Sequence, residues 1–232
     1  AVVNPPAAGE PSYLISGKDK SGVAPAVLRL PSGSGTLQGM GESFAPMLSA
    51  GAFTYTVPVS LPPGRQGFQP DVALTYSSTS GQGVVGLGWS LAGAPFIQRQ
   101  TDKGLPRYDD RDAFVWNGSE ELVEIGSSDL LPGEQLPAQA AGGAYFRLKI
   151  EGAFLRFFHL ADDTWLVQSK DGTEHWFGAV PGVLNSGQAT VRDDERVFRW
   201  NLVKRRDPAG NEVRYRYERS GAQPYLVEIL YN

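Results

Sequence analysis

Three aspartates in one short turn form the first group in this chain with the composition of a metal site. Asp109, Asp110 and Asp112 come just before an apolar run that begins at Phe114. Several carboxylates in one turn provide the oxygen ligands that Ca²⁺ prefers. Their spacing does not match an EF-hand loop. The group is therefore a candidate Ca²⁺ site, and an exposed turn before a strand is the competing interpretation.

The chain has few residues for imidazole chemistry and none for thiolate chemistry. The chain has no cysteine and 2 histidines, His159 and His175, which fall in separate predicted strands without a third ligand nearby. Disulfides, thiolate metal sites and cysteine nucleophiles are excluded, and a zinc site is not predicted. No Gly-x-Ser-x-Gly elbow is present either, because Gly33-Ser34-Gly35 lacks its pattern.

The triplet Ser78-Thr79-Ser80 is similar to the strand-end motif of one class of ADP-ribosyltransferase. Such enzymes also need a Glu-x-Glu or Gln-x-Glu pair, whose carboxylate stabilises the developing oxocarbenium ion. Glu120, Glu121 and Glu124 have a different spacing. We therefore predict that the chain is not an enzyme, with no catalytic residue and no cofactor.

Basic and aromatic side chains alternate near the carboxyl end. From Arg192 to Arg219 there are nine Lys or Arg residues, interleaved with aromatic ones. Such a combination of residues could bind single-stranded nucleic acid. However, Arg214 and Arg216 alternate with apolar neighbours, as in a strand with one packed face and one wet face. The net charge is −4, so no nucleic-acid partner is predicted.

Aromatic residues are plentiful, with 5 Trp, 9 Tyr and 11 Phe. They could line a sugar-binding groove, although core packing is the commoner use of such residues. Binding of glycans on a cell surface through exposed aromatics is therefore the alternative function.

The elements that must position these residues are strands. Gly 28 and Pro 17 imply many tight turns, and apolar residues alternate with polar ones in many short runs. The pattern predicts an all-β fold, with antiparallel hairpins and meanders forming a β-sandwich-like or open shell array and an extended amino-terminal arm. Strands are predicted near residues 53–59, 72–76, 114–116, 122–123, 145–150, 154–160, 164–169, 173–177, 198–202, 213–217 and 225–231.

The chain divides by composition. Residues 1–41 are rich in Ala, Gly, Pro and Ser and are read as the arm, 42–130 as a first β module, and 144–232 as a β-meander. The Pro- and Gly-rich stretch 131–143 between them is a linker or loop. No stretch has the apolar length of a membrane-spanning helix.

One loop has a predicted structural anchor. Gly86 and Gly88 allow a sharp backbone course beside Trp89, and Tyr76 ends the strand before this loop. We predict that Trp89 is a buried anchor rather than a ligand platform. The strand Tyr225–Tyr231, last in the chain, is expected to leave one edge unpaired.

Several motifs agree in order with one known family. The stretches GMGESF (39–44), GRQGFQPDVALTYSS (64–78), GLGWSL (86–91), IQR (97–99) and GLPRYDDRDAF (104–114) resemble the amino-terminal domain shared by SpvB and the B components (TcaC) of insecticidal toxin complexes. One departure is Gly81-Gln82-Gly83, where the family usually has Gly-Asn-Gly. The stretch DPAGNEVRYRYE (207–218) is similar to a YD, or Rhs-type, repeat.

This resemblance implies a non-enzymatic structural and assembly module of a secreted bacterial toxin. In the family, the β-rich domain opens a longer protein whose YD-type repeats build a shell around a toxic segment, so the implied partners are the rest of that shell or other toxin subunits. A further alternative is that the chain belongs to an ADP-ribosyltransferase toxin whose catalytic domain lies outside it.

Overall fold

The computed structural model describes residues 43–47, 52–130 and 133–231. The predicted arm, residues 1–41, lies outside them. The strands are β1 (Ser43–Met47), β2 (Ala52–Pro58), β3 (Ala73–Ser77), β4 (Gln82–Gly83), β5 (Gly86–Leu87), β6 (Trp89–Ala92), β7 (Phe96–Arg99), β8 (Phe114–Trp116), β9 (Glu120–Glu124), β10 (Ala144–Leu148), β11 (Arg156–His159), β12 (Trp165–Gln168), β13 (Glu174–Phe177), β14 (Thr190–Asp193), β15 (Arg196–Arg206), β16 (Glu212–Ser220) and β17 (Gln223–Tyr231). The helical elements in the described residues are 3-10 turns at Arg65–Gly67, Ser127–Asp129, Ala138–Ala140 and Ser186–Ala189. The all-β prediction is confirmed.

Eight strands close into a barrel. The strands from β7 to β13 follow one another as antiparallel neighbours, and β15 joins the two ends of this series. Residues 199–201 of β15 pair with β7, whereas residues 202–206 pair with β13. The predicted hairpins and meanders are therefore present, and the long strand β15 turns the meander into a closed barrel rather than a sandwich or an open array.

Aromatic side chains fill the barrel. The ring of Phe114 lies edge-on to Trp165 and Trp200, with centroid distances of 5.0 and 5.8 Å. Trp116 meets Phe157 and Phe177 in the same geometry, at 5.2 and 5.5 Å. A barrel of eight strands is just wide enough for side chains to fill, and edge-to-face contacts add to the stabilisation from burial. The barrel interior is therefore one part of the main hydrophobic core, which also includes side chains of β16.

The segment at 131–143 connects β9 to β10, which are neighbours in the barrel. Its described part packs against the outer wall, where Ala140 is buried with Phe158 and Leu166. Glu134 forms an ion pair with Arg147 at 2.6 Å. This segment is thus a surface loop of the barrel, and the barrel takes strands from both sides of it.

A separate four-stranded sheet has the order β1-β2-β3-β6. Its register places Tyr55 opposite Tyr76, and Tyr76 opposite Trp89. These three rings therefore lie in one row on one face. The small hairpin β4–β5 lies between β3 and β6 in sequence.

A two-stranded ribbon, β16–β17, extends from the barrel. β16 pairs with β15 only through Glu212–Arg214, and with β17 along most of its length. Tyr215 and Tyr217 are buried in the main core. The predicted last strand is thus present and longer than expected.

Candidate interaction surface

The turn between β15 and β16 is held by one aspartate. The carboxylate of Asp207 accepts hydrogen bonds from the backbone N–H of Asn211 at 2.8 Å and from its side-chain amide at 2.7 Å. Gly210 has a φ of +85°, which favours glycine, and its N–H donates to the carbonyl of Asp207. Asp, Gly and Asn at this spacing therefore close the hairpin.

The two tyrosines of the same motif serve the core. Tyr215 and Tyr217 are 2% and 5% exposed, on alternate positions of β16. Burial raises the pKa of both phenols, so they remain neutral at ordinary pH.

A loop of the first module docks on this hairpin. The hydroxyl of Tyr231 donates to the carbonyl of Pro62 at 3.1 Å, and the amide of Asn211 donates to Oε1 of Gln66 at 3.0 Å. The ring of Phe68 packs against the main core, with the guanidinium of Arg205 above it at 5.1 Å. The segments GRQGFQ and DPAGNE, far apart in sequence, are therefore in contact.

The outer face of β17 is apolar and exposed. Tyr225, Val227 and Leu230 are 44%, 45% and 50% exposed, whereas Leu226 and Ile229 pack against the core. Within the described residues β17 pairs only with β16, so no described strand pairs with its other edge. We call this edge and its three exposed apolar side chains the β17 edge.

The predicted anchor residues lie together. The ring of Trp89 lies 5.4 Å from that of Tyr76, and Gly88 is buried against Tyr76, with a φ of +77°. Gly86 also has a positive φ, +126°. Trp89 itself is half-buried rather than enclosed, because its ring lies on one face of a sheet outside the barrel. Its role as an anchor stays a prediction.

Two of the three aspartates of the candidate Ca²⁺ site make other contacts, and the third, Asp110, is exposed. Asp112 forms an ion pair with Arg99 at 2.8 Å, and the two side chains are 7% and 10% exposed. Asp112 also accepts the backbone N–H groups of Arg107 and Tyr108. Asp109 pairs with Arg111.

No group of three or more His, Asp or Glu side chains suited to holding a metal occurs in the described parts of the chain. Nε2 of His159 lies 2.8 Å from a carboxylate oxygen of Asp163. His175 is on a different strand of the barrel, where burial and the charge of Arg205 lower its pKa from 6.5 to about 4.

The residues considered for ADP-ribosyl transfer are not gathered into a site. Oγ of Ser78 accepts the backbone N–H of Phe53 at 2.9 Å, at the end of β3. Glu121 lies on β9 and pairs with Lys103 and Lys149. These groups therefore serve local structure.

Most of the aromatic residues that suggested a sugar-binding groove have another use. Trp165 and Trp200 are fully buried, as are Phe157 and Phe177. A ring enclosed in a barrel cannot stack on a sugar, so the glycan alternative loses its main support.

The basic residues near the carboxyl end are partly neutralised. Arg196 pairs with Asp193, Arg214 with Glu212, and Arg216 with Glu228. Sequence reasoning did not single out Arg99, which it noted only within a motif, or Arg199, which it counted only within the basic run. Both arginines lie in strands that carry other polar or charged residues, so no local signal in the sequence sets them apart.

Comparisons with known proteins agree on one relationship. The model of the family described as "Salmonella virulence plasmid 65kDa B protein" (SpvB) matches residues 48–227. The mono(ADP-ribosyl)transferase SpvB of Salmonella typhimurium is 29% identical over 180 residues, which cover 72% of this chain and 29% of the relative. The chain thus spans well under half the length of the curated relatives it matches.

Solved structures give the same result. The crystal structure of TcdB2-TccC3 superposes with a TM-score of 0.67 and 27% identity, covering 90% of this chain and 11% of that one. The amino-terminal domain of the effector protein SpvB from Salmonella typhimurium strain LT2 superposes with a TM-score of 0.58 and 26% identity, covering 75% of this chain and 64% of that one. In the described residues no helix is long and apolar enough to cross a bilayer.

Proposed function

This chain belongs to the SpvB family, and on that premise we propose that it is a non-enzymatic structural and assembly module of a secreted bacterial toxin. Its partners are protein: the remainder of a toxin shell or another toxin subunit. Solved relatives such as TcdB2-TccC3 are toxin assemblies, which supports this class of partner.

The observation that carries the proposal is the β17 edge. A strand with one unpaired edge is a template for pairing with another strand, and the exposed Tyr225, Val227 and Leu230 add apolar area to it. Monomeric proteins normally protect such an edge with charge, proline or a covering element. β17 carries Pro224 and Glu228, yet its three apolar side chains stay exposed. An assembly role explains this exposure, because a neighbouring strand would cover the edge.

The barrel supports a non-catalytic role. Its interior is packed with aromatic rings, such as Phe114 against Trp165, and this leaves no space there for a substrate. The buried charged pair of Arg99 and Asp112 is neutralised internally. These features are those of a scaffold.

A second candidate follows from the names of the relatives. The curated proteins matched are mono(ADP-ribosyl)transferases, so the chain can be the non-catalytic part of such a toxin, with the transferase in the rest of the parent protein. A labelled-NAD transfer assay on this chain alone should then show no turnover above background. Turnover would contradict both candidates.

The assembly role is tested by charging the β17 edge. Val227→Lys places a cation on the unpaired strand, and we expect it to abolish concentration-dependent association seen by light scattering of the unmodified chain. Val123→Lys is the matched control, because Val123 is 42% exposed and its strand, β9, is paired on both edges. An unmodified chain that stays monomeric at high concentration, or equal behaviour of the two variants, would contradict the proposal.

A further inference from the structure

An open cleft of about 720 Å³ lies where three parts of the molecule meet. One wall is formed by β6 and the β4–β5 hairpin, the second by the outer surface of the barrel at β7 and β15, and the third by the first residues of β17. We call it the junction cleft. Clefts between packed elements are common binding sites. The candidate metal, histidine and transferase residues described above do not line this cleft.

The cleft combines aromatic and cationic surface. Trp89, Phe96 and Tyr225 are among its lining residues. The guanidinium of Arg199 lies over the ring of Phe96, 4.2 Å from its centroid. This stacking fixes the plane of the cation in a lining that is part polar and part apolar.

Arg199 has no carboxylate partner among the described residues. Its Nε and Nη2 both donate to the neutral amide oxygen of Gln98, at 3.1 and 2.8 Å, and in the described residues no ion pair joins it to a carboxylate. Burial lowers its pKa, which means that removal from water disfavours the cation. Since an arginine stays charged, an incoming anion would offset this cost.

A second polar group is also available. The hydroxyl of Tyr217, another lining residue, is buried and makes no hydrogen bond within the described residues. Burial raises the pKa of Tyr217, so the hydroxyl keeps its proton and can donate. A buried donor without a partner costs free energy that a bound acceptor would recover.

The border of the cleft indicates the shape of the ligand. Residues 223–226 of β17 line it, and within the described residues that strand is paired only with β16. A strand with a free edge can bind an extended peptide through backbone hydrogen bonds, while pockets beside it select alternate side chains.

We propose that the junction cleft binds an extended protein segment that carries a carboxylate side chain flanked by apolar residues. The carboxylate meets Arg199 and the hydroxyl of Tyr217, and the flanking side chains contact the ring of Tyr225 and the exposed part of Trp89. Because Trp89 is only half-buried, it would then be part of the cleft wall as well as an anchor. The inference rests on the proposed function in one respect, that the partner is protein.

The experiment is a selection from a library of random nonapeptides displayed on phage, with the chain as target. We expect the recovered peptides to share an Asp or Glu beside apolar residues. The affinity of each labelled synthetic peptide is then measured by fluorescence anisotropy against the unmodified chain and three variants.

Arg199→Gln should weaken binding about tenfold, as expected for loss of a charge-assisted hydrogen bond, and Arg199→Lys should weaken it less. Arg214→Gln is the control, because Arg214 is exposed and pairs with Glu212. Replacing the acidic residue of the peptide by its amide should weaken binding to the unmodified chain and have little effect on binding to Arg199→Gln. That comparison alters the ligand instead of the protein, so it is independent of any effect on folding.

Three results would overturn the inference: no enrichment, enriched peptides without an acidic residue, or affinities that Arg199→Gln and Arg214→Gln change equally. Saturable binding of benzoate without peptide enrichment would identify a small-molecule site instead. Failure here is distinguishable from failure of the assembly role, since association through the β17 edge is measured separately with Val227→Lys.

Discussion

The side-chain amide of Asn211 donates one hydrogen bond to Asp207 within its own turn and another to Gln66, which is 145 residues away in sequence. Asn211 is 7% exposed. The shape of the hairpin turn and the position of the docked loop are therefore coupled through one side chain. This contact joins a stretch that resembles the SpvB-type amino-terminal domain to the stretch that is similar to a YD repeat.

Asn211→Ala should lower the free energy of unfolding by about 2–3 kcal/mol, because it removes two hydrogen bonds of a buried amide and leaves Asp207 without its side-chain partner. Gln66→Ala should cost less than about 1 kcal/mol, since Gln66 is exposed. Chemical denaturation measures both, with exposed Gln188→Ala as the control. Strictly additive losses in the double variant would show that Asn211 and Gln66 are not coupled.

Gly88, beside Trp89, should be sensitive to substitution. A Cβ there would lie 2.5 Å from Cε2 of Tyr76 and 3.0 Å from the carbonyl oxygen of Ser77, and the φ of +77° is strained for other residues. Gly88→Ala should therefore destabilise the chain by about 2–4 kcal/mol. Thermal or chemical unfolding tests this.

Gly81→Ala is the matched control for that substitution. Gly81 lies at the other end of the same loop, and nothing lies within 4 Å of an added Cβ. Its effect should stay within about 0.5 kcal/mol. Similar losses at Gly81 and Gly88 would show that loop flexibility, and not the approach to Tyr76, explains the glycines.

Strand positions were predictable because the signal is local. The alternation of Val213, Tyr215 and Tyr217 gave β16, and all three side chains are buried. Closure of the barrel was not predictable, because pairing of Glu174–Phe177 with β15 depends on a register set by contacts far apart in sequence. The half-burial of Trp89 was also not predictable from the sequence, since it depends on which sheet the strand of Trp89 joins.

In the candidate site, too, the local turn was predictable from the sequence, whereas the contacts between distant segments were not. The Asp207, Gly210 and Asn211 turn follows from the known preferences of those residues. The role of Asp112 does not follow from its residue type, because a carboxylate in a turn can bind either a metal ion or an arginine side chain. Only the fold brings Arg99 to Asp112. The junction cleft likewise arises from three elements that are separate in sequence.

Asp112 should contribute to stability through Arg99 rather than through a metal. Asp112→Asn leaves Arg99 buried without a counter-charge, so we expect a loss of about 3–5 kcal/mol. Asp109→Asn, which affects an exposed pair with Arg111, should cost less than about 1 kcal/mol. Equal losses, together with a higher melting temperature of the unmodified chain in millimolar CaCl₂, would favour the calcium interpretation.

His175 should make stability fall in mild acid. Burial, with a smaller effect of Arg205, lowers its pKa from 6.5 to about 4, so between these pH values the unfolded chain binds a proton that the folded chain does not. The stability contributed by neutral His175 is therefore complete above pH 6.5 and is lost as the pH falls towards 4. The loss approaches about 1.4 kcal/mol per pH unit within that window, and unfolding by denaturant at a series of pH values measures it.

His175→Gln should remove this part of the pH dependence, because glutamine does not titrate. His159→Gln is the control, since it removes the other histidine and leaves His175 in place. Carboxylates also titrate near the acidic end of the window, so the informative quantity is the difference in slope between each variant and the unmodified chain. If His175→Gln has the same slope between pH 6.5 and 4 as the unmodified chain, then His175 binds its proton equally in the folded and unfolded chains, and burial does not lower its pKa.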